Sequence, residues 1–304
     1  MGGKLLSIGE CMVELSQAGE GLLRKGFAGD TFNTAWYARA CFPSDWSIDY
    51  FTAVGDDPLS TDMLAMMEEA GIGTGLIRRI PGKTPGLYLI TLKDGERTFS
   101  YWRDTAAAKK LAEDADHLRA AIESADIVYF SGITLGILAP EAADTLLSEA
   151  RRAKAMGKTV VFDPNIRPRL WPNKEYMLKT IEDGARSSNL VLPSFDDEAT
   201  HFGDTNEQAT IARYRSYGVE NVVVKNGPAG ITLAFGTSPT VHVPSVKVDK
   251  VVDTTSAGDS FNGGFLSRLM TGASPAEAAA HGAAVAATVI RHHGALVSPE
   301  LLPA

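Results

Sequence analysis

The sequence predicts an α/β fold built on a mostly parallel sheet with helices on its faces. Three observations carry this. From residue 115 onward, short apolar runs bounded by turn residues alternate with amphipathic stretches, the pattern of βαβ units. A first buried strand, 4–8, is closed by Gly9, and a glycine-bearing loop at 26–30 leads into a helical stretch at 31–41. Finally, two strand-like runs, 86–92 and 97–103, stand outside the alternation. Residues 93–96, with Asp94 and Gly95 at their centre, join them as a hairpin turn.

The remaining elements follow in order. A strand at 48–54 ends at Gly55, Asp56 and Asp57, and Pro58 suits the first turn of a helix running to about residue 70. Then come a helix near 115–123, a strand at 127–131, a helix at 140–156 and a strand at 159–163. A helix near 176–186, a strand at 190–192, a helix at 208–217 and a strand at 221–225 continue the pattern. Helices at 257–270 and 275–292 end it, the second very rich in alanine. With no internal repeat and no low-complexity linker, residues 1–304 read as one domain.

Composition narrows the function. A net charge of −8 argues against general nucleic-acid binding, so an anionic ligand needs a local cluster of arginines. Cys11 and Cys41 make neither a metal pair nor a disulfide framework, and a reducing cytoplasm is expected. The N-terminal apolar run is too short for a signal peptide, and no run has the length to span a membrane.

The stretch 252–265, V-D-T-T-S-A-G-D-S-F-N-G-G-F, carries the chemistry. Small residues from Thr254 to Gly258 precede a helical pattern in which Ala257, Phe261, Phe265 and Leu269 recur every four residues. Such a helix start points free N–H groups at an anion, and Asp259 in its first turn is expected to stay charged beside the dipole. An anion cradle with a base one turn away suits phosphoryl transfer to a hydroxyl; an ordinary capped helix has the same look. Gly29, Asp30 and Asn33 offer acceptors and a donor for a polyol, or simply a helix cap. The run Lys225, Asn226, Gly227, Pro228, Ala229, Gly230 is either a hairpin turn or a loop that lets backbone approach phosphate and ribose. It is not a P-loop, and neither are the Gly-Lys-Thr runs at 82–84 and 157–159, which lack the first glycine. The loop 163–171 holds two prolines and Arg167 after a strand end, and Arg103 closes the hairpin; arginine is the side chain for carboxylates. Asp197 and Glu198 read either as metal-linked acids or as a helix start.

D-T-T-S-A-G-D-S-F resembles the C-terminal signature of the ribokinase-like (PfkB) carbohydrate kinases, D-T-x-G-A-G-D-x-F. The resemblance covers essentially the whole chain. It implies that Asp259 is the catalytic base and that Ser256, Ala257 and Gly258 form the anion hole. Ser256 stands where the family has glycine, a strained choice if φ is positive there. Segments 11–24 and 75–103 are implied to form a β lid over the sugar. Gly29, Asp30 and Asn33, Tyr88, Tyr101 and Arg103, and Asn165 and Arg167 also fit the subgroup acting on 2-keto-3-deoxygluconate, a sugar acid. These residues, Asn165 apart, together with Asp259 are implied to hold the substrate. Asn165, Ser194, Lys225, Asn226, Gly227, Gly230, Ser256 and Gly258 are implied to hold ATP, with Mg²⁺ reached through water by Asp197 or Glu198. The implied reaction is ATP-dependent phosphorylation to the 6-phosphate, by a homodimer joined through the lid. A kinase for a neutral sugar such as fructose or ribose is disfavoured by the two arginines, and a non-catalytic sugar sensor by an intact Asp259.

Overall fold

A computed structural model describes residues 2–93 and 96–303. Among the described residues, eight strands form the central sheet. In spatial order they are Val241–Val243, Ile231–Phe235, Asn221–Lys225, Leu190–Val191, Thr159–Asp163, Ile127–Ser131, Lys4–Ile8 and Ser47–Phe51. From Asn221–Lys225 to Ser47–Phe51 all pairings are parallel. These strands are buried on both faces, which is why they read as continuous apolar runs. Leu6, Ile8, Phe130 and Phe162 face one helix layer, while Leu5, Tyr129, Val161 and Val223 face the other, with the period of two that a strand imposes.

The helices follow their local signals. Asp57 caps Pro58–Glu69 by accepting from Leu59 and Ser60 N–H, with proline at the first helical position. Ser274 and Glu277 make a capping box on Pro275–Val289, which ends three residues before the expected stop at 292. Phe261 and Phe265 are buried on the inner face of Ala257–Met270, their rings stacked 5.7 Å apart.

Several expectations are corrected. The strand expected at 48–54 breaks after Phe51, and Ala53–Val54 pairs instead with Arg78–Arg79. Gly132–Ile137 is a helix directly after its strand, too short for apolar periodicity to reveal, held by a Ser131–Thr134 capping box. Ile231–Phe235 and Val241–Val243 extend the sheet in antiparallel fashion beyond the βαβ pattern.

A second sheet of four strands stands beside the first, in the order Leu22–Ala28, Met12–Gly19, Leu87–Lys93, Glu96–Trp102. The hairpin strands are where the sequence places them; their turn at Asp94 and Gly95 lies outside the described residues. The glycine-bearing stretch from 26 is strand as far as Ala28. Tyr88 and Ile90 are buried with Met12, Ala28 and Ala295, which seats this sheet on the body. Among the described residues, no helix is long and apolar enough to cross a membrane.

Candidate active site

The parallel strands end on one side of the sheet, where open α/β folds bind ligands. Gly9 and Glu10 follow the first strand, and Ser131, Asp163 and Lys225 are the last residues of three others. Helices Asp30–Cys41 and Ala257–Met270 bring their N-termini to the same edge. They cross closely: a Cβ on Gly263 would lie 2.7 Å from both Ala38 N and Tyr37 Cβ, so only glycine fits.

That crossing joins Asp259 to the start of helix Asp30–Cys41. Asn33 Nδ2 donates to Asp259 Oδ2 at 2.8 Å. Asn165 Nδ2 donates to Asp30 Oδ2 at 2.9 Å, so Asn165, implied as a nucleotide residue, is joined here to a residue implied to hold the sugar. Asn165 has φ 33°, a left-handed conformation that asparagine tolerates better than most residues. Gly29 is extended, and its need for glycine is steric: a Cβ would lie 2.0 Å from the Glu10 carbonyl oxygen.

Asp259 departs from its expected state. Burial, then the charges of Asp30 and Asp163, push its carboxyl up to about 7, against the pull of the Asn33 hydrogen bond and Lys225. Desolvation outweighs the helix dipole here. A base with that affinity for protons is matched to neutral pH. Burial also raises the Asp30 carboxyl, while Ser131, the Thr31 N–H and Asn165 hold it down.

The anion turn has the expected form with one change. Among the described residues the N–H groups of Ser256, Gly258 and Asp259 meet no protein acceptor, whereas Ala257 N–H donates to Thr254 O at 3.2 Å. Ser256 adopts φ 63°, so this position does require the left-handed conformation, and its Oγ is buried with no hydrogen-bond partner.

Beneath the turn lies a network that sequence reasoning missed. Lys225 Nζ donates to Asp163 Oδ2 at 2.9 Å and to Asn262 Oδ1 at 3.2 Å. Asn262 Nδ2 donates to Asp163 Oδ2 at 2.6 Å and to Tyr129 OH at 3.1 Å. Asn262 sits three residues after Asp259 and so on the same face of the helix, an amide buried beside Phe261 and Phe265, which was the available signal. The buried Lys225 is thus a counter-ion of Asp163 under the turn. Its loop is indeed the hairpin between Asn221–Lys225 and Ile231–Phe235, with Gly227 at φ 45° and Gly230 at φ 101°. Asn226 donates to Glu207. Ser194 caps Phe195–Phe202 in position only, and bridges to Lys225 as an isolated β-pair.

The arginines are not left bare. Arg103 donates to buried Glu10 and lies 5.9 Å from the Tyr101 ring centroid. Arg167, half exposed, donates to Ile166 O at 2.8 Å and pairs with Asp197 at 3.5 Å. Each guanidinium already has a protein carboxylate, so the two arginines do not by themselves demand an anion. Tyr88 OH donates to Glu14 within the lid.

Of the two acids expected near the metal, Glu198 has another role. It is fully buried and takes Arg213 at 2.5 Å and Tyr214 OH at 2.9 Å, one on each oxygen. It ties Phe195–Phe202 to Glu207–Ser216, and burial raises its carboxyl to about 7. Among the described residues, no three His, Cys, Asp or Glu side chains group as a metal cage.

Residues 3–301 match the pfkB family of carbohydrate kinases. The chain is 41% identical to the 2-dehydro-3-deoxygluconokinase of Dickeya dadantii, over 98% of this chain and 97% of that one. It is likewise 41% identical to the enzyme of that name from Escherichia coli K12, over the full length of both. The crystal structure of a PfkB protein from Polaromonas superposes with a TM-score of 0.83 at 27% identity, covering 95% and 96% of the two chains. The family match over nearly the whole chain and the full-length relatives at 41% identity make the chain a member of the pfkB carbohydrate kinase family.

Proposed function

We propose that this protein transfers the terminal phosphoryl group of ATP to the 6-hydroxyl of 2-dehydro-3-deoxy-D-gluconate. The observation that carries the phosphoryl transfer is Asp259. It lies in the first turn of a helix at whose start the N–H groups of Ser256, Gly258 and Asp259 meet no protein acceptor among the described residues, is oriented by Asn33, and holds a proton until about pH 7. The full-length relatives bearing that enzyme's name support the sugar acid.

In this reading Asp259 takes the proton of the sugar hydroxyl, and Asn33 fixes the carboxylate that receives it. The N–H groups of Ser256, Gly258 and Asp259 stabilise charge on the transferring group. Asp30 and Asn33 hold sugar hydroxyls, and Arg103 and Arg167 take the carboxylate, exchanging or sharing their contacts with Glu10 and Asp197. Tyr101 lines the lid beside Arg103, and Tyr88 is braced by Glu14. The Lys225 hairpin offers glycine backbone to the nucleotide.

Asp197, which pairs with Arg167 at 3.5 Å, is the acid that would hold a magnesium ion through water, since Glu198 is buried against Arg213 and Tyr214. When bound, the ion neutralises phosphate charge.

Leu22, Leu23, Phe99, Tyr101 and Trp102 are exposed on the two edge strands of the lid sheet. Exposed apolar side chains there suit a homodimer joined through the lid. Light scattering on the eluting peak should give twice the 32.4 kDa of one chain. Two free cysteines suit a reducing, cytoplasmic setting.

The deciding experiment measures ADP release with 2-dehydro-3-deoxygluconate, its galactonate isomer, fructose and ribose. The expected result is turnover of the sugar acid with a kcat/KM at least about a hundredfold above either neutral sugar, the worth of one or two charged hydrogen bonds. Equal turnover of fructose or ribose overturns the substrate; no ADP release with any sugar overturns the reaction.

A further inference from the structure

Glu10 has no assigned task, yet it touches both the sugar loop and the lid. It follows the first central strand and is buried. Its carbonyl oxygen lies where a side chain on Gly29 would have to go. Its carboxylate reaches the base of the lid, where Oε2 accepts from the Arg103 guanidinium. The other oxygen, Oε1, is buried without a hydrogen-bond partner, and a Cβ on Gly86 would lie 2.6 Å from it. A buried carboxylate with one oxygen unpaired is costly, and an apolar residue here would pack without that cost. Among the described residues Arg103 donates only to Glu10, so most of its five N–H donors have no protein acceptor.

We propose that Glu10 is the positioning residue that sets specificity for an anionic sugar. It fastens one edge of the Arg103 guanidinium to the body of the protein and leaves the rest of the fork for the substrate carboxylate. It also neutralises Arg103 before substrate arrives. The site then offers short, directed hydrogen bonds instead of a bare positive field, which separates a correctly placed carboxylate from any passing anion. The inference rests on the proposed function, because it takes Arg103 as a ligand of the sugar acid. A lid strap alone would not need a charged group with a spare oxygen.

The test uses the full chain and ADP release with 2-dehydro-3-deoxygluconate, comparing Glu10→Ala, Glu10→Gln, Arg103→Ala and the Glu10→Ala/Arg103→Ala pair. Glu10→Ala should raise KM for the sugar acid about tenfold, with a smaller loss in kcat and no matching rise in KM for ATP. Glu10→Gln, whose amide oxygen can still accept from the guanidinium, should recover most of that loss. In the Arg103→Ala background the effect of Glu10→Ala should vanish, because Glu10 acts through that arginine. Equal rises in both KM values, or the same loss with and without Arg103, overturn the proposal and leave Glu10 a brace for the Gly29 loop. If Glu10→Ala does not fold, Glu10→Met, which fills the same space without an acceptor, decides: a rise in KM for the sugar acid that disappears with Arg103 supports the proposal, and an unchanged KM overturns it. Absence of wild-type turnover on the sugar acid overturns the proposed function and this inference together. Wild-type turnover without an Arg103-dependent loss overturns the inference alone.

Discussion

Asn33 and Asp259 lie 226 residues apart in sequence and are joined by a single hydrogen bond of 2.8 Å, from the amide nitrogen of one to the carboxylate of the other. The bond favours the charged form of the base, while burial and the charges of Asp30 and Asp163 oppose it. In the proposed reaction Asp259 works as a base when deprotonated, so kcat/KM should fall as pH drops through about 7. Asn33→Ala removes a group that stabilises the charge, and its acid limb should move to higher pH. A pH profile of kcat/KM for both proteins checks the sign, whatever the loss in absolute rate.

Asp259→Asn should lower kcat about a hundredfold or more while keeping the shape of the site. It should also stabilise the fold. The Asp259 carboxyl is raised from 3.8 to about 7, so between those values the folded chain holds a proton that the unfolded chain has lost. Stability therefore falls as pH rises through that window and stays lowered above it. Tm of the variant should exceed that of the wild type by a few degrees at pH 8, and by less near pH 4. Melting curves at both pH values measure this.

Glu198→Ala should cost about 3–5 kcal/mol of stability, because Arg213 would be left buried with part of its pairing gone. Asp204 still meets Arg213 at 2.6 Å, which places the loss toward the lower end. The magnesium concentration giving half-maximal activity should not change. Urea unfolding and a magnesium titration separate this structural role from a metal role.

Ser256→Gly should raise Tm. A left-handed serine carries strain of ~1–2 kcal/mol, more than the ~0.5–1 kcal/mol that glycine adds to the freedom of the unfolded chain. The buried, unpaired Oγ is removed as well. Ser256→Ala, which drops the hydroxyl but keeps the strain, should fall between the two in a thermal melt.

Much of the scaffold is legible in the sequence because its signals are local. The strands Ile127–Ser131, Thr159–Asp163 and Asn221–Lys225 and the helix Ala257–Met270 have the boundaries that their apolar periods and flanking residues predict. The place of Asp259 in the first turn is legible for the same reason, since it follows from a helix start. Its protonation is not: the charges that raise it sit on Asp30 and Asp163, which only the folded sheet brings near. The Lys225–Asp163–Asn262 network and the Glu10–Arg103 and Arg167–Asp197 pairs are hidden likewise. Each joins residues from distant segments, and no pattern along the chain marks a side chain as spoken for. The antiparallel edge beyond Asn221–Lys225 escapes because a mixed sheet breaks the rhythm on which the reading relied.

The glycine at 263 has a consequence for how such an enzyme can change. Because two helices touch there backbone to backbone, the spacing between Asn33 and Asp259 is set by a rigid crossing and not by a loop. The reacting end of the pocket is a fixed gauge. In the proposed function a longer, shorter or differently charged substrate must be accommodated at the far end, by the strands carrying Tyr88 and Tyr101 and by Arg103 just past them. Selection can then rewrite which molecule is accepted without disturbing where the proton goes, and substitutions at Gly263 should be the ones that no change in the lid can rescue.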